Sequence, residues 1–292
     1  MTPPAGRERG FRLVALGDSI TVGVGDTVGP DAVHGPGWAA HLATVLGAET
    51  FINLATEGAR SRDVVGTQLT AALALRPHLA TVLVGGNDVL RSDFDARHTL
   101  ADLHRTVGEL CRAGTDVVLV LLPVIGLFEL CPRLVRRVMR RRVASINAAV
   151  EEVASSAPGW VVVVDAARGI APAGSRAWHI DRVHPSPLGH RTLALSAASA
   201  LSTGPGSENG VVHATSSITY TTPFSSAEAR GRLPVAPEPP SVVERVVWLL
   251  RAGLPWCVRR GRDFLPGLLR AVVHDVRSQA PRRTRYAAAS RR

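Results

Sequence analysis

Five short apolar stretches are spaced along the first two-thirds of the chain: 11–16 (FRLVAL), 49–54 (ETFINL), 79–84 (LATVLV), 116–122 (DVVLVLL) and 160–165 (WVVVVD). They are rich in β-branched residues and nearly continuous in apolar character. Strands covered by helices on both faces read this way, so the pattern predicts a buried parallel sheet. Between them lie helical stretches, roughly 36–47, 62–76, 95–113, 133–156 and 187–202. Strand and helix alternate, which implies an α/β fold with right-handed crossovers. In such folds, sites form outside the carboxyl ends of the strands.

Residues 203–240 change character. Gly, Ser, Thr and Pro accumulate there and the stretch closes on Pro239-Pro240, the composition of a linker or mobile loop. Ser241-Val-Val-Glu244 follows, a capping-box pattern that should start a helix running to about Arg251. Gly253, Pro255, Gly261, Pro266 and Gly267 then break the segment into short amphipathic pieces, and 281–292 is a basic end. The expected organisation is a domain over 1–202, a linker over 203–240 and a basic helical tail over 241–292.

Charge sharpens this division. The net charge is +10, but residues 1–202 hold 20 Arg against 18 acidic residues, whereas 203–292 hold 14 against six. The basic character therefore belongs to the tail. All 34 basic residues are arginine, which reflects genomic base composition as readily as selection for Arg chemistry, so no nucleic-acid partner is expected. The three cysteines, Cys111, Cys131 and Cys257, are odd in number and lack CxxC spacing. Buried free thiols are expected rather than a disulfide framework or zinc site. The first twelve residues carry no apolar leader core, and no uncharged apolar run reaches the ~18 residues of a membrane span. A cytoplasmic location is expected, with peripheral membrane contact left open.

Four segments carry candidate chemistry. Gly17-Asp18-Ser19-Ile20-Thr21 follows the first strand, placing the Ser19 hydroxyl near a helix N-terminus that favours negative charge. A serine hydroxyl needs a general base near neutral pH. Asp181-Arg-Val-His184 offers one, with a carboxylate close enough along the chain to fix the imidazole's tautomer. His179 and His190 lie nearby but lack an acid three residues before them. Asn-Leu-Ala-Thr-Glu-Gly (53–58) follows the second strand, and Gly58 would let a backbone N–H approach a ligand closely. Gly-Gly-Asn-Asp (85–88) follows the third, where the Asn87 amide could donate to an oxyanion. Asp88 is expected to cap the next helix or hold its loop.

Together these segments, covering roughly 11–202, resemble the SGNH (GDSL) hydrolase superfamily. GDSIT, NLATEG, GGND and DRVHPSPLGH match its four blocks in order. The resemblance implies a flavodoxin-like three-layer α/β/α sandwich around a five-stranded parallel sheet, followed here by a C-terminal helical extension. It implies a serine esterase or lipase with Ser19 as nucleophile, His184 as base and Asp181 orienting it. Gly58, Asn87 and the Ser19 amide would form the oxyanion hole. No metal or organic cofactor is implied. Ala55 stands where many members have glycine. The same triad would serve a lysophospholipase, thioesterase, sugar deacetylase or acyltransferase, and a non-catalytic membrane-surface protein is the reading from another class. Acyl chain, alcohol and oligomeric state stay open.

Two basic features lie outside these blocks. Arg133, Arg137, Arg140 and Arg141 share roughly one face of a predicted helix, opposite Leu134, Val135, Val138 and Val143. A solvated face over an apolar one, or contact with anionic lipid or an acidic substrate group, both fit. In 241–277, Trp248, Trp256 and Phe264 alternate with Arg251, Arg259, Arg260, Arg262 and Arg270. That mixture suits helices docked beside the active-site mouth, and equally a membrane interface.

Overall fold

The computed structural model describes residues 10–27, 34–203, 210–213 and 226–248, together with 250, 251, 255, 266, 267, 269, 270 and 273. Five parallel strands form its centre: β1 (Arg12–Gly17), β2 (Thr50–Asn53), β3 (Leu79–Leu83), β4 (Asp116–Leu121) and β5 (Val161–Asp165). Their spatial order is β2-β1-β3-β4-β5, the flavodoxin-like winding. Every residue of β3 is buried, whereas β2 at the sheet edge is at most half-buried.

Helices cover both faces. α1 (Ser19–Val22) is a single turn after β1, and α2 (Gly37–Leu46) packs against α9 (Pro187–Thr203). On the opposite face lie α3 (Ser61–Asp63), α4 (Leu69–Leu75) and α6 (Ala96–Arg112), with the short α5 (Gly86–Val89) after β3. α7 (Arg133–Ser156) packs against α6. It buries Val138, Met139, Val143, Ile146, Val150 and Val153, while Arg133, Arg137, Arg140 and Arg141 stay exposed. Arg142 differs: it donates to the carbonyls of Val89 and Arg91 at 2.8 and 2.9 Å and lies over the Phe94 ring. α8 (Ala166–Ile170) follows β5 and is capped by Asp165.

Two side-chain amides, one buried and one half-buried, brace the ends of strands. Gln68 accepts from the Gly17 N–H at 2.8 Å and donates to its carbonyl at 2.9 Å. Asn147 pairs in the same way with Leu122, just past β4. Gln68 ends a π-helical turn, Val64–Gln68, that joins α3 to α4. Such turns re-aim side chains and recur at functional sites.

The stretch 203–240, expected as a linker, contributes two elements. β6 (Gly210–His213) adds an antiparallel sixth strand to β5, and α10 (Ser226–Arg232) buries Ala229, with Leu233 buried just beyond it. Four residues show no readable period. The strand exists because the β5 edge presents unpaired backbone groups, which composition does not reveal. The capping box forms as read: Ser241 N–H donates to Glu244 at 2.7 Å and Glu244 N–H to Ser241 Oγ at 3.3 Å, opening α11 (Val242–Trp248). Cys111 and Cys131 are free and half-buried, and burial pushes the Cys111 thiol up to about 11. Cys257 and residues 281–292 lie outside the described residues. Among the described residues, no helix is long and apolar enough to cross a membrane.

Candidate active site

β1 has β2 on one side and β3 on the other, so the connections from β1 to β2 and from β2 to β3 leave a crevice at its carboxyl end. The predicted residues converge there. Gly17 ends β1 at φ +151, where a Cβ would collide with the Leu83 carbonyl, and the chain turns at once into α1. Asp18 caps that turn, accepting from Ile20 N–H at 3.0 Å. Ser19 is the first helical residue, a position whose N–H has no intrahelical acceptor.

From Ser19 a hydrogen-bonded chain runs into the loop before α9. Ser19 Oγ lies 2.9 Å from His184 Nε2, and His184 Nδ1 lies 2.7 Å from Asp181 Oδ2. The other Asp181 oxygen accepts the N–H groups of Val183 and His184 at 2.8 and 3.0 Å. Residues 179–184 close on themselves: His179 N–H donates to the His184 carbonyl, and Arg182, in the left-handed region at φ 54, donates to the His179 carbonyl. A short segment can therefore aim both Asp181 and His184 at one serine. His179 Nδ1 also lies 3.3 Å from Asp181 Oδ2. Burial alone would raise the Asp181 carboxyl, but the two histidines outweigh it and hold it well below the ordinary carboxylate range.

The oxyanion candidates flank this chain. Gly58 adopts φ +74 with open space where a Cβ would project, so the glycine is needed for its backbone conformation rather than for packing. Asn87, on α5, donates one amide hydrogen to the Ala59 carbonyl at 3.1 Å, tying the chain just past the second block to the third, and its other amide hydrogen has no partner among the described residues. Asp88 holds the same junction: it accepts from Arg60 at 3.3 Å and from Ser61 N–H at 3.1 Å. It fastens the loop after β2, while α5 begins without a side-chain cap.

Several supporting residues carry no motif. Gln68 braces Gly17 and reaches Thr56 Oγ1 at 3.3 Å, coupling the first two blocks. Gly25, at φ +91, packs against the Pro185 carbonyl and His184 Cβ, so any side chain there would press on the His184 loop. Asp26 is fully buried and is bound by His41 at 2.7 Å, Arg191 at 2.8 Å and Gly37 N–H at 2.9 Å. That network clamps the chain after α1 to α2 and α9. His190 is a core residue: its Nδ1 accepts from Trp38 N–H, its Nε2 donates to the Val24 carbonyl, and burial lowers it to about 4.

Asp18, next to the serine, is a buried carboxyl. Burial raises its carboxyl from the usual 3.8 to about 6. Between those values the unfolded chain releases this proton and the folded chain keeps it, so folding loses stability as pH rises through the interval. Asp18→Asn keeps an acceptor for Ile20 N–H and removes the charge. It is expected to stabilise the protein at pH 8 by up to about 3 kcal/mol and to have little effect near pH 3.5, as read by denaturant unfolding.

A doubly wound sheet with a Ser–His–Asp chain at its switch point, together with the family match below, defines a hydrolase acting on esters. The chain belongs to the GDSL-like lipase/acylhydrolase family, whose profile matches residues 15–192. Solved structures with the same fold include a mutant of an acetyl-xylooligosaccharide esterase from Geobacillus stearothermophilus (24% identity, TM-score 0.51, covering 63% of this chain and 91% of that one). Another is a GDSL-like lipase candidate from Parabacteroides merdae (18%, 0.55, 68% and 98%), and a third is an α/β hydrolase enzyme from the metagenome of Lake Arreo, Spain (23%, 0.51, 65% and 94%). No curated protein shows significant similarity to the sequence.

Proposed function

We propose that the protein hydrolyses carboxylic esters through an acyl-enzyme on Ser19. The observation that carries this reading is the unbroken chain Ser19 Oγ–His184 Nε2–Asp181. Ser19 Oγ attacks the ester carbonyl carbon as His184 Nε2 takes its proton. The tetrahedral oxyanion is held by the N–H groups of Ser19 and Gly58 and by the free amide hydrogen of Asn87. As the intermediate collapses, His184 returns the proton to the departing alcohol and leaves an ester on Ser19. Water then attacks that ester while His184 takes its proton, and collapse releases the acid and restores Ser19. The Asp181 carboxylate keeps the His184 proton on Nδ1 and stabilises the imidazolium in each half.

Hydrolysis of p-nitrophenyl esters from acetyl to palmitoyl tests this, together with labelling by a fluorophosphonate. The expected result is turnover on part of the series and one covalent adduct, recovered on the Ser19 peptide. No turnover and no adduct would overturn the reading. Asn87→Ala is expected to lower kcat by roughly 10²–10³ with KM little changed, because its amide meets charge that develops only in the transition state. Initial rates on the best ester of the series check this.

A further inference from the structure

All the large apolar residues that stand exposed lie beyond residue 234 among the described residues. Val243, Val246, Val247 and Leu250 follow the spacing i, i+3, i+4, i+7 along and just past α11, and so form one stripe. Val243 is 72% exposed and Leu250 61%. Leu269 and Val273, four residues apart, are exposed as well. A helix that turns its apolar stripe to water is waiting for a partner.

The stripe sits beside the active site. Trp248, on the same helix, meets the His179 ring edge-on at 6.4 Å, and His179 is the residue that shares the Asp181 carboxylate. Gly267 packs directly against Ser92, five residues past Asn87. The tail therefore meets both the loop that carries His179 and the chain that follows α5. Arg142 of α7 borders the same quarter, binding the carbonyls of Val89 and Arg91 beside Ser92.

Charge decides which partner fits. Residues 241–292 carry 12 arginines against three acidic residues, and Arg251 and Arg270 are exposed next to the apolar positions. A second copy would bring the same positive charge to the contact and be repelled. A nucleic acid offers nothing for valine and leucine to enter. An anionic lipid surface offers both an apolar layer and negative headgroups.

We propose that α11 docks the enzyme on an anionic lipid surface, with Val243, Val246, Val247 and Leu250 entering the headgroup–acyl boundary and the crevice opening beside it. Docking is a property of the surface alone. Its use, to present lipid-borne esters to Ser19, rests on the ester-hydrolase reading.

Flotation of the full chain with vesicles tests the proposal, using phosphatidylcholine alone or with about one-third phosphatidylglycerol. Wild type is expected to float with the anionic vesicles, more weakly at high salt and with phosphatidylcholine alone. The combined variant Val243→Ser, Val246→Ser, Val247→Ser, Leu250→Ser replaces only exposed side chains. It is expected to bind about tenfold or more weakly while hydrolysing a water-soluble short-chain ester at the wild-type rate. Ser19→Ala is expected to bind vesicles as wild type does, which separates docking from catalysis. The proposal is overturned if wild type does not float, or if the fourfold variant floats equally well, because arginine adsorption alone would then explain binding. It also fails if light scattering shows a wild-type dimer that the variant dissolves without any vesicle binding, for the stripe would then be a contact between copies.

Discussion

Ser19→Ala is expected to lower kcat by about 10⁶ while leaving the fold intact. The Ser19 side chain is half-buried at the head of a four-residue turn, and among the described residues its hydroxyl bonds only to His184. Removing Oγ therefore costs little packing, yet it removes the atom on which the proposed acyl intermediate would form. What remains is water attack assisted by His184 and the oxyanion donors, worth about 10³–10⁴ over solution. Steady-state kinetics on the best ester, with fluorophosphonate labelling in parallel, reads both consequences. If Ser19→Ala keeps more than a hundredth of the wild-type rate, the nucleophile is another group.

Asp181→Asn is expected to lower kcat by about 10⁴. The geometry dictates how the replacement settles. One carboxylate oxygen accepts two backbone N–H groups, from Val183 and His184, so the asparagine oxygen stays there and its NH₂ takes the position facing His184 Nδ1. That NH₂ can only donate. It forces the imidazole proton onto Nε2, the atom that must be empty to receive the proton of Ser19. A loss of only about tenfold would mean that the carboxylate merely stiffens the loop. The variant should also melt earlier than wild type at neutral pH. The Asp181 carboxyl is held below its unfolded value, so it stabilises the fold above about pH 4 and loses that contribution as pH falls through the acid range. Activity is therefore compared well below the melting temperature of either protein.

The two effects arise from different parts of the chain, yet both are legible in the sequence. Ser19 and the Asp181–His184 pair each belong to a short contiguous motif, because the chemistry requires a serine at a strand-to-helix turn and an acid within reach of its histidine. The scaffold was legible for a similar reason. The apolar stretches 11–16, 79–84, 116–122 and 160–165 correspond to β1, β3, β4 and β5, and the stretch 133–156 coincides with α7. Burial on both faces leaves a continuous apolar record in a strand, and burial on one face leaves a periodic record in a helix.

The braces behind the motifs left no such record. Gln68 joins Gly17 from 51 positions away, and Arg191 reaches Asp26 across 165. In sequence the first is one polar residue in a helical stretch and the second one arginine among 34. Nothing local separates them from solvated side chains. β6 is not legible in the sequence because its cause is the open edge of β5 rather than its own four residues.

Local order thus specified β1 to β5 and the helices between them, their alternation, the Ser19 and Asp181–His184 motifs and the capping box at Ser241, since each depends on residues within a few positions of one another. Tertiary structure alone decided which strand ends meet, which buried amide and carboxylate hold them, and that the apolar stripe of α11 stands uncovered next to His179. An apolar residue declares that burial is favourable, but the assembled fold determines whether the protein's own surface supplies it.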